Sequence, residues 1–289
     1  MTSANSLNYL SADLINQFIT AALAEDVGDG DFSSLGSVPE KAQNRAHLLI
    51  KGDGVIAGIE LAKAIFSHVD SQLILELKVQ DGDKVENEDI GFIVSGPARS
   101  ILKAERLVLN CLQRMSGIAT YTHLVTSLIK GTKARLLDTR KTTPNFRLAE
   151  KWAVAIGGGV NHRFGLFDMV MLKDNHIDYA GGVEEAIHST LQFLRSENLS
   201  LDIEIEVRNL DELAAVLRVG GVKRVMLDNM LPSDMKLAID MIGGQFETEA
   251  SGGITESNIR EIAETGVDYI SVGALTHSYK SLDMSLKAF

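Results

Sequence analysis

Residues 136–163 read LLDTRKTTPNFRLAEKWAVAIGGGVNHR. The stretch begins with an apolar pair, continues through a helical segment, and ends in a triple glycine followed by Asn161-His162-Arg163. An apolar run followed by a helix is the repeating unit of parallel α/β folds. The stretch also concentrates positive residues in a chain of formal net charge -11. That contrast predicts a pocket for a ligand with several negative charges.

The composition is that of a globular protein, because 45% of the 289 residues are hydrophobic and 23% are charged. The single cysteine, Cys111, excludes an intrachain disulfide framework and predicts a reducing, cytoplasmic location. The N-terminus lacks the pattern of a secretory signal. No apolar run approaches the ~20 residues of a membrane span. The chain has 39 acidic and 28 basic residues, and this acidic excess argues against a broad nucleic-acid surface.

The N-terminal part predicts a small α+β domain over residues 1–117 with a mostly antiparallel sheet. A first helix is expected after Ser11 as N-cap, and short apolar runs between residues 45 and 95 predict strands around one helix. A long helix is expected over 99–115, ending at Gly117, with a second helix over 118–130. The C-terminal segment 276–289 is a candidate addition to this domain.

Beyond Lys130, strand and helix patterns alternate, which predicts an incomplete α/β barrel over residues 118–275. Apolar runs lie at 134–137, 169–172, 203–207, 224–227, 246–250 and 269–272, and a short seventh strand is expected within 158–163. The main rival is a doubly wound open sheet, but no G-x-G-x-x-G sequence follows a first strand.

Charged residues and glycines fall where the predicted strands end, which is where barrels assemble their active sites. These positions hold Arg140, Lys141, Lys173, Glu206, Asp228, Ser251, Gly252, Gly253 and Gly273. Arg140-Lys141 and His162-Arg163 suit an anion. Lys173 suits either a Schiff base or a cation for a carboxylate or phosphate.

Glu206 and Asp228 end neighbouring predicted strands, where they can hold Mg²⁺, bind a ribose diol, or stabilise a developing cation. Glu204 is two residues from Glu206 and therefore points to the same face, so spacing alone does not choose between them. The glycine loops at 251–253 and 273 suit a phosphate group. These features together suit a phosphorylated sugar beside a second polyanionic substrate.

The sequence resembles the quinolinate phosphoribosyltransferase family from about Leu23 to Leu275. The matching strings are DTRKTTP at 138–144, GGGVNHR at 157–163, LKDNH at 172–176, EIEV at 204–207, LDN at 227–229, EASGGI at 249–254 and SVGAL at 271–275. The helix around residues 105–120 matches as well. The resemblance implies an open-faced α+β sandwich followed by a seven-stranded α/β barrel.

The resemblance also implies the reaction, in which quinolinate and 5-phosphoribosyl-1-pyrophosphate combine, with Mg²⁺, to give nicotinate mononucleotide, pyrophosphate and CO₂. Arg140, His162, Arg163 and Lys173 resemble the groups that hold the quinolinate carboxylates. Arg106 resembles an arginine donated by a second subunit of a homodimer with shared active sites, and a hexamer is the alternative assembly. Lys141 resembles a lysine shared between the two substrates.

The remaining roles follow in the same way. Glu206 and Asp228 resemble the carboxylates near the ribose and the metal, and the metal is held by them directly or through water or substrate. Because the family has its carboxylate at the position of Glu206, the resemblance favours Glu206 over Glu204. Ser251, Gly252, Gly253 and Gly273 resemble the cradle of the 5-phosphate.

Three other functions stay open at the level of sequence. They are a related phosphoribosyltransferase for another aromatic acid, such as the molybdenum-transport-associated paralogue, a Schiff-base aldolase using Lys173, and a catalytically inert barrel that only binds.

Overall fold

The protein is described by a computed structural model that covers residues 7 and 9–289. The expected absence of a secretory signal concerns the first residues of the chain, of which 1–6 and 8 lie outside the described part. The helices are α1 Ala12–Val27, α2 Phe32–Ser37, α3 Ile59–Val69, α4 Ala98–Leu128, α5 Arg147–Ile156, α6 Asp174–Ala180, α7 Val183–Ser196, α8 Leu210–Val219, α9 Pro232–Ile242, α10 Ile259–Glu264 and α11 Ala274–His277. The strands are β1 Gln43–Ile50, β2 Gly54–Val55, β3 Ile74–Leu77, β4 Lys84–Val85, β5 Ile90–Pro97, β6 Arg135–Leu137, β7 Val170–Leu172, β8 Ile203–Val207, β9 Arg224–Asp228, β10 Glu247–Ser251, β11 Tyr269–Ser271 and β12 Met284–Ala288.

Two compact units make up the chain. The first consists of Met1–Leu124, Lys141–Gly158 and Ala274–Phe289, and the second of Val125–Arg140 and Gly159–Gly273. These limits differ from the sequence-based boundaries, because the long helix α4 contributes residues to both units. The boundaries at 117 and 275 therefore stay predictions.

The first unit contains a four-stranded antiparallel sheet of order β12-β1-β5-β3. On β1, Ala46, Leu48 and Ile50 are buried and alternate with more exposed residues, as expected for a strand with one face on a core. The C-terminal strand β12 pairs with β1 in register Leu48↔Leu286. The expected N-cap of α1 is confirmed, since the Ser11 hydroxyl accepts the Leu14 N–H at 3.2 Å.

The predicted break at Gly117 is wrong, because Gly117 lies inside α4, a single helix of 31 residues from Ala98 to Leu128. A Cβ at this position would collide with the carbonyl oxygen of Lys280. Gly117 is therefore needed for the close approach of another segment of the same unit, and it does not end the helix.

The second unit is built on six parallel strands of order β6-β11-β10-β9-β8-β7. A parallel bridge between Leu137 and Val160 adds a seventh strand position beside β6, where the sequence predicted it. No ladder between Val160 and β7 is found in the described part of the chain, so the barrel is incomplete. The predicted fold class is confirmed. The helix α6, directly after Lys173, was not predicted.

Candidate active site

The carboxyl ends of the parallel strands gather the polar residues that the sequence singled out in the second unit. Lys173 follows β7 directly, Glu206 is the penultimate residue of β8, and Asp228 and Ser251 are the last residues of β9 and β10. Because all six strands run in the same direction, these ends lie on one edge of the sheet. Within this unit, the charged residues therefore lie at the strand ends, as the sequence predicted.

Arg140 and Arg163 form the cationic part of this edge. Burial lowers the pKa of Arg163, and the positive charge of Arg140 lowers it further, which means that the two guanidinium groups lie within each other's field. Arg163 Nη1 donates to the Met169 carbonyl at 3.1 Å. Its Nε is buried and has no hydrogen-bond partner among the described residues. A buried donor beside a second cation is suited to an anionic ligand.

Lys173, Glu206 and Asp228 form the mixed-charge part of the same edge. Lys173 Nζ lies 3.3 Å from Glu206 Oε2, and Glu206 is 7% exposed. Burial raises the pKa of Glu206, the nearby Asp228 raises it further, and Lys173 partly offsets both. Asp228 accepts a hydrogen bond from the Asn229 side chain at 2.6 Å. The His176 imidazole accepts the Lys173 N–H at 2.9 Å, so His176 has a structural role at the start of α6.

A buried ionic cluster lies below this edge and consists of His162, Glu204, Glu249 and Arg224. His162 Nε2 lies 3.0 Å from Glu204 and 3.4 Å from Glu249. Arg224 Nη1 lies 3.2 Å from Glu249 and 3.7 Å from Glu204. Both carboxylate side chains are 0% exposed. The structure therefore separates the two glutamates that spacing alone could not, because Glu204 contacts His162 while Glu206 contacts Lys173.

The tautomer of the His162 ring is set by its contact with Arg163. Burial and the charge of Glu249 raise the pKa of Glu204. His162 Nδ1 accepts the Arg163 N–H at 2.7 Å, so the bound proton lies on the side of Nε2 and the carboxylates.

Two glycines after β10 shape the loop predicted to bind phosphate. Gly252 and Gly253 have φ values of +91° and +59°, and a Cβ on Gly252 would collide with the Asn229 side chain. Consecutive backbone N–H groups in such a conformation form an anion-binding concavity. The helix that follows, α10, has six residues. The cradle therefore depends on the glycine N–H groups and on Ser251.

Two predicted site residues, Arg106 and Lys141, belong to the first unit. Arg106 is exposed on α4. Lys141 lines a polar cavity of about 440 Å³. The other lining residues are Arg114, Thr142, Thr143, Thr276, His277, Tyr279 and Ser281. The Thr276 hydroxyl donates to the Lys141 carbonyl at 2.8 Å, which ties the backbone at Lys141 to α11.

Several functional contacts were missed by sequence reasoning. The buried Glu150 carboxylate accepts hydrogen bonds from Arg114, and Asp138 accepts the His162 N–H at 2.8 Å. Glu249 and Arg224 belong to the buried cluster but received no role. The usable signal was an acidic residue in the middle of an apolar strand, since such a residue needs a partner inside the fold.

Among the described residues, one group of three potential metal ligands is found, and it is the buried set His162, Glu204 and Glu249. Glu206 and Asp228 supply oxygen donors of the kind that Mg²⁺ prefers, and the charge of Asp228 raises the pKa of Glu206. In the part of the chain described, no helix is both long and apolar enough to span a membrane.

Comparison with known proteins gives a consistent result over nearly the whole chain. Two family profiles match, the quinolinate phosphoribosyl transferase N-terminal domain at residues 27–116 and its C-terminal domain at residues 118–287. A quinolinate phosphoribosyltransferase [decarboxylating] 1b of Nicotiana tabacum is 48% identical, with 93% of this chain and 81% of the relative covered. A probable nicotinate-nucleotide pyrophosphorylase [carboxylating] of Bacillus subtilis is 38% identical, with 94% and 91% covered.

A solved structure agrees with the sequence matches. The nicotinate-nucleotide pyrophosphorylase from Francisella tularensis superimposes with a TM-score of 0.89 at 38% identity, and the match covers 98% of both chains.

Proposed function

Because this chain belongs to the quinolinate phosphoribosyltransferase family, we propose that its second unit holds quinolinate at a pair of arginines and the phosphoribosyl donor at two carboxylates and a glycine cradle. The enzyme transfers the phosphoribosyl group of 5-phosphoribosyl-1-pyrophosphate to quinolinate with loss of CO₂. The products are nicotinate mononucleotide and pyrophosphate, in NAD biosynthesis. Membership of this family removes the aldolase and inert-barrel alternatives.

The quinolinate subsite consists of Arg140, Arg163 and Lys173 in this proposal. The observation that carries it is the buried Arg163 Nε, a donor without a hydrogen-bond partner in the described residues, within the field of a second guanidinium. A guanidinium can hold a carboxylate through two parallel hydrogen bonds, so two of them match a diacid. His162 belongs to this group by resemblance, although its nitrogens contact Glu204, Glu249 and the Arg163 N–H.

The ribosyl subsite consists of Glu206 and Asp228. When the pyridine nitrogen attacks C1 of the ribose and pyrophosphate leaves, positive charge develops on the sugar, and a carboxylate nearby stabilises it. The same two oxygen donors fit Mg²⁺, which would neutralise the leaving pyrophosphate when bound. Lys173 contacts Glu206 at 3.3 Å, so this lysine keeps the carboxylate oriented until substrate enters.

Phosphate groups of the donor occupy two places in the proposal. The 5-phosphate lies on Ser251, Gly252, Gly253 and Gly273, and the positive φ values of Gly252 and Gly253 support a backbone site for an anion there. Lys141, which by resemblance is shared between the two substrates, takes part in holding the pyrophosphate end, and it lines a polar cavity with Arg114 and His277.

We also propose a homodimer in which Arg106 serves the site of the second subunit, with a hexamer as a further assembly of such dimers. Arg106→Ala and Lys173→Ala subunits, each inactive alone, are mixed after unfolding and refolded together. If the site is shared, random pairing restores about a quarter of wild-type activity, because half of the dimers then carry one intact site of two. Absence of recovery in refolded dimers would contradict the shared site.

Cytoplasmic location is part of the same proposal and is supported by the buried, unpaired Cys111. Some relatives are named chloroplastic or mitochondrial, so imaging of a tagged protein in its own cell is the direct test.

The function is tested by a turnover assay with quinolinate, 5-phosphoribosyl-1-pyrophosphate and Mg²⁺. Nicotinate mononucleotide is followed by chromatography, and nicotinate is supplied as the acceptor in a parallel reaction. Product is expected with quinolinate as the acceptor but not with nicotinate, because each of the two guanidinium groups binds one carboxylate and nicotinate has only one. Product from nicotinate alone would show that the paired arginines do not select a diacid.

A further inference from the structure

Of the buried cluster of His162, Glu204, Glu249 and Arg224, only His162 has a place in the proposed substrate contacts, and that place rests on the resemblance. Its side chains are almost sealed, with exposures of 5% for His162, 0% for both glutamates and 13% for Arg224. Transfer of such charges from water costs several kcal/mol per ion, and a hydrophobic layer of equal volume is often as stable. Stability alone therefore does not account for an ionic layer inside the barrel.

The contacts of the His162 imidazole connect the cluster to the substrate edge. Its Nε2 lies 3.0 Å from Glu204 and 3.4 Å from Glu249, and its Nδ1 accepts the backbone N–H of Arg163 at 2.7 Å. The backbone N–H of His162 donates to Asp138 at 2.8 Å. The ring thus fixes the residue that follows it in the chain.

Arg163 is held a second time through its own side chain, since Nη1 donates to the Met169 carbonyl at 3.1 Å. Its backbone is set by the His162 ring and its guanidinium by this carbonyl. Its Nε is buried and has no hydrogen-bond partner among the described residues. An arginine fixed at both ends loses little conformational freedom when it binds a carboxylate.

A metal ion is the obvious competing occupant, because the ligand atoms of His162, Glu204 and Glu249 lie within 4.8 Å of one another. The Arg224 guanidinium already lies 3.2 Å and 3.7 Å from the same two carboxylates. A divalent cation between them would face a fixed positive charge at that distance. Arg224 therefore already supplies a positive charge to both carboxylates.

We propose that Glu204 and Glu249 are positioning residues that lock the His162 ring behind Arg163 and so set the affinity for quinolinate. The inference rests on the proposed role of Arg163 in binding quinolinate. As positioning residues, Glu204 and Glu249 do not contact the substrate. Their effect is transmitted by one hydrogen bond, from the Arg163 N–H to His162 Nδ1.

The test compares three isosteric variants of the full-length enzyme, namely Glu204→Gln, Glu249→Gln and the control Glu247→Gln. Glu247 also pairs with Arg224, at 2.9 Å, but has no contact with His162 among the described residues and is 35% exposed. It therefore controls for any effect that passes through Arg224 alone. Kinetic constants for both substrates are measured together with the melting temperature of each variant.

Loss of charge at Glu204 or Glu249 is expected to raise the KM for quinolinate about fivefold to tenfold, because the negative charge that attracts the Nε2–H of His162 is removed. The KM for 5-phosphoribosyl-1-pyrophosphate and kcat are expected to stay within about twofold, as are all constants of Glu247→Gln. An equal rise for both substrates, the same rise in Glu247→Gln, or no rise in the other two variants would overturn the proposal. If one glutamine variant does not fold, the other and Glu249→Asp give the same comparison.

Two further variants separate this inference from the function it rests on. Arg163→Ala is expected to raise the KM for quinolinate; if it does not, the proposed binding role of Arg163 fails. If it does and Glu249→Gln leaves that KM unchanged, only the positioning role fails. In a His162→Gln background, Glu249→Gln is expected to have no further effect on this KM, whereas independent contributions would add.

Discussion

The Arg114–Glu150 pair supports the segment that carries Lys141, and its removal has a predictable size. Glu150 on α5 is fully buried and accepts hydrogen bonds from Arg114 Nε at 3.1 Å and Nη2 at 2.8 Å. Its second oxygen accepts the Thr143 N–H at 3.1 Å, and Arg114 also donates to the Thr143 hydroxyl. Glu150→Gln keeps the side-chain volume and removes the charge.

The magnitude follows from these three hydrogen bonds. A bond to a charged group contributes about 1.5–3 kcal/mol and a neutral one about 0.5–1.5 kcal/mol. Arg114 is 36% exposed, so water compensates part of its loss. We expect the free energy of unfolding to fall by about 2–3 kcal/mol, which corresponds to a melting temperature lower by about 5–10 °C for a chain of this size. The KM for 5-phosphoribosyl-1-pyrophosphate should rise about fivefold, because the backbone around Lys141 loses its anchor.

The assay is thermal unfolding by circular dichroism together with steady-state kinetics, and Glu264→Gln is the matched control. Glu264 pairs with Arg260 at 2.6 Å, but its side chain is 55% exposed, so the same substitution there should lower the melting temperature by no more than about 2 °C. If Glu150→Gln behaves like Glu264→Gln in both measurements, the reasoning that this buried carboxylate organises the segment is refuted.

Three other predictions concern single residues. Gly252→Ala should raise the KM for 5-phosphoribosyl-1-pyrophosphate at least tenfold, roughly the effect of 1–3 kcal/mol of backbone strain, since φ is +91° and the new methyl would meet the Asn229 side chain; an unchanged KM would exclude a phosphate site there. Burial and Asp228 raise the pKa of Glu206, so protons should compete with Mg²⁺ above the usual carboxyl range. The Mg²⁺ concentration for half-maximal rate should therefore increase as pH falls, with a flatter profile in Glu206→Gln. Burial raises the pKa of Cys111 to about 12, so a disulfide reagent should label this thiol only after unfolding, and labelling of the native enzyme would contradict its burial.

Periodicity predicted the architecture because barrel strands and their helices have local signatures. The runs at 203–207 and 224–227 became β8 and β9, and the short bridge at Val160 occurs within the segment expected to hold a seventh strand. In parallel sheets the strand direction alone places every carboxyl end on one edge. The predicted grouping of Lys173, Glu206 and Asp228 therefore needed no knowledge of side-chain packing.

Contacts between distant segments were not predictable in this way. Gly117 reads as a helix end because glycine usually ends helices, but here it admits the Lys280 carbonyl. Glu204 and Glu206 lie on the same face of one strand, and only residues from other strands distinguish them. The choice depends on where His162 and Lys173 lie in three dimensions, and spacing along β8 contains no information about that.

The two glutamates of β8 show how a barrel interior can separate binding from positioning. Residues two apart on a strand lie about 7 Å apart along it, so Glu206 reaches the open edge while Glu204 remains in a sealed layer. In the proposed function, substrate replaces Lys173 at Glu206, and the Lys173 side chain is accessible to water, with 48% of its surface exposed. The sealed layer keeps fixed partners, and this requires groups that water cannot reach, since a competing solvent would loosen the His162 ring. An apolar layer would fill the same volume, but it would remove the carboxylates beside His162 Nε2 and with them the proposed support of the Arg163 backbone.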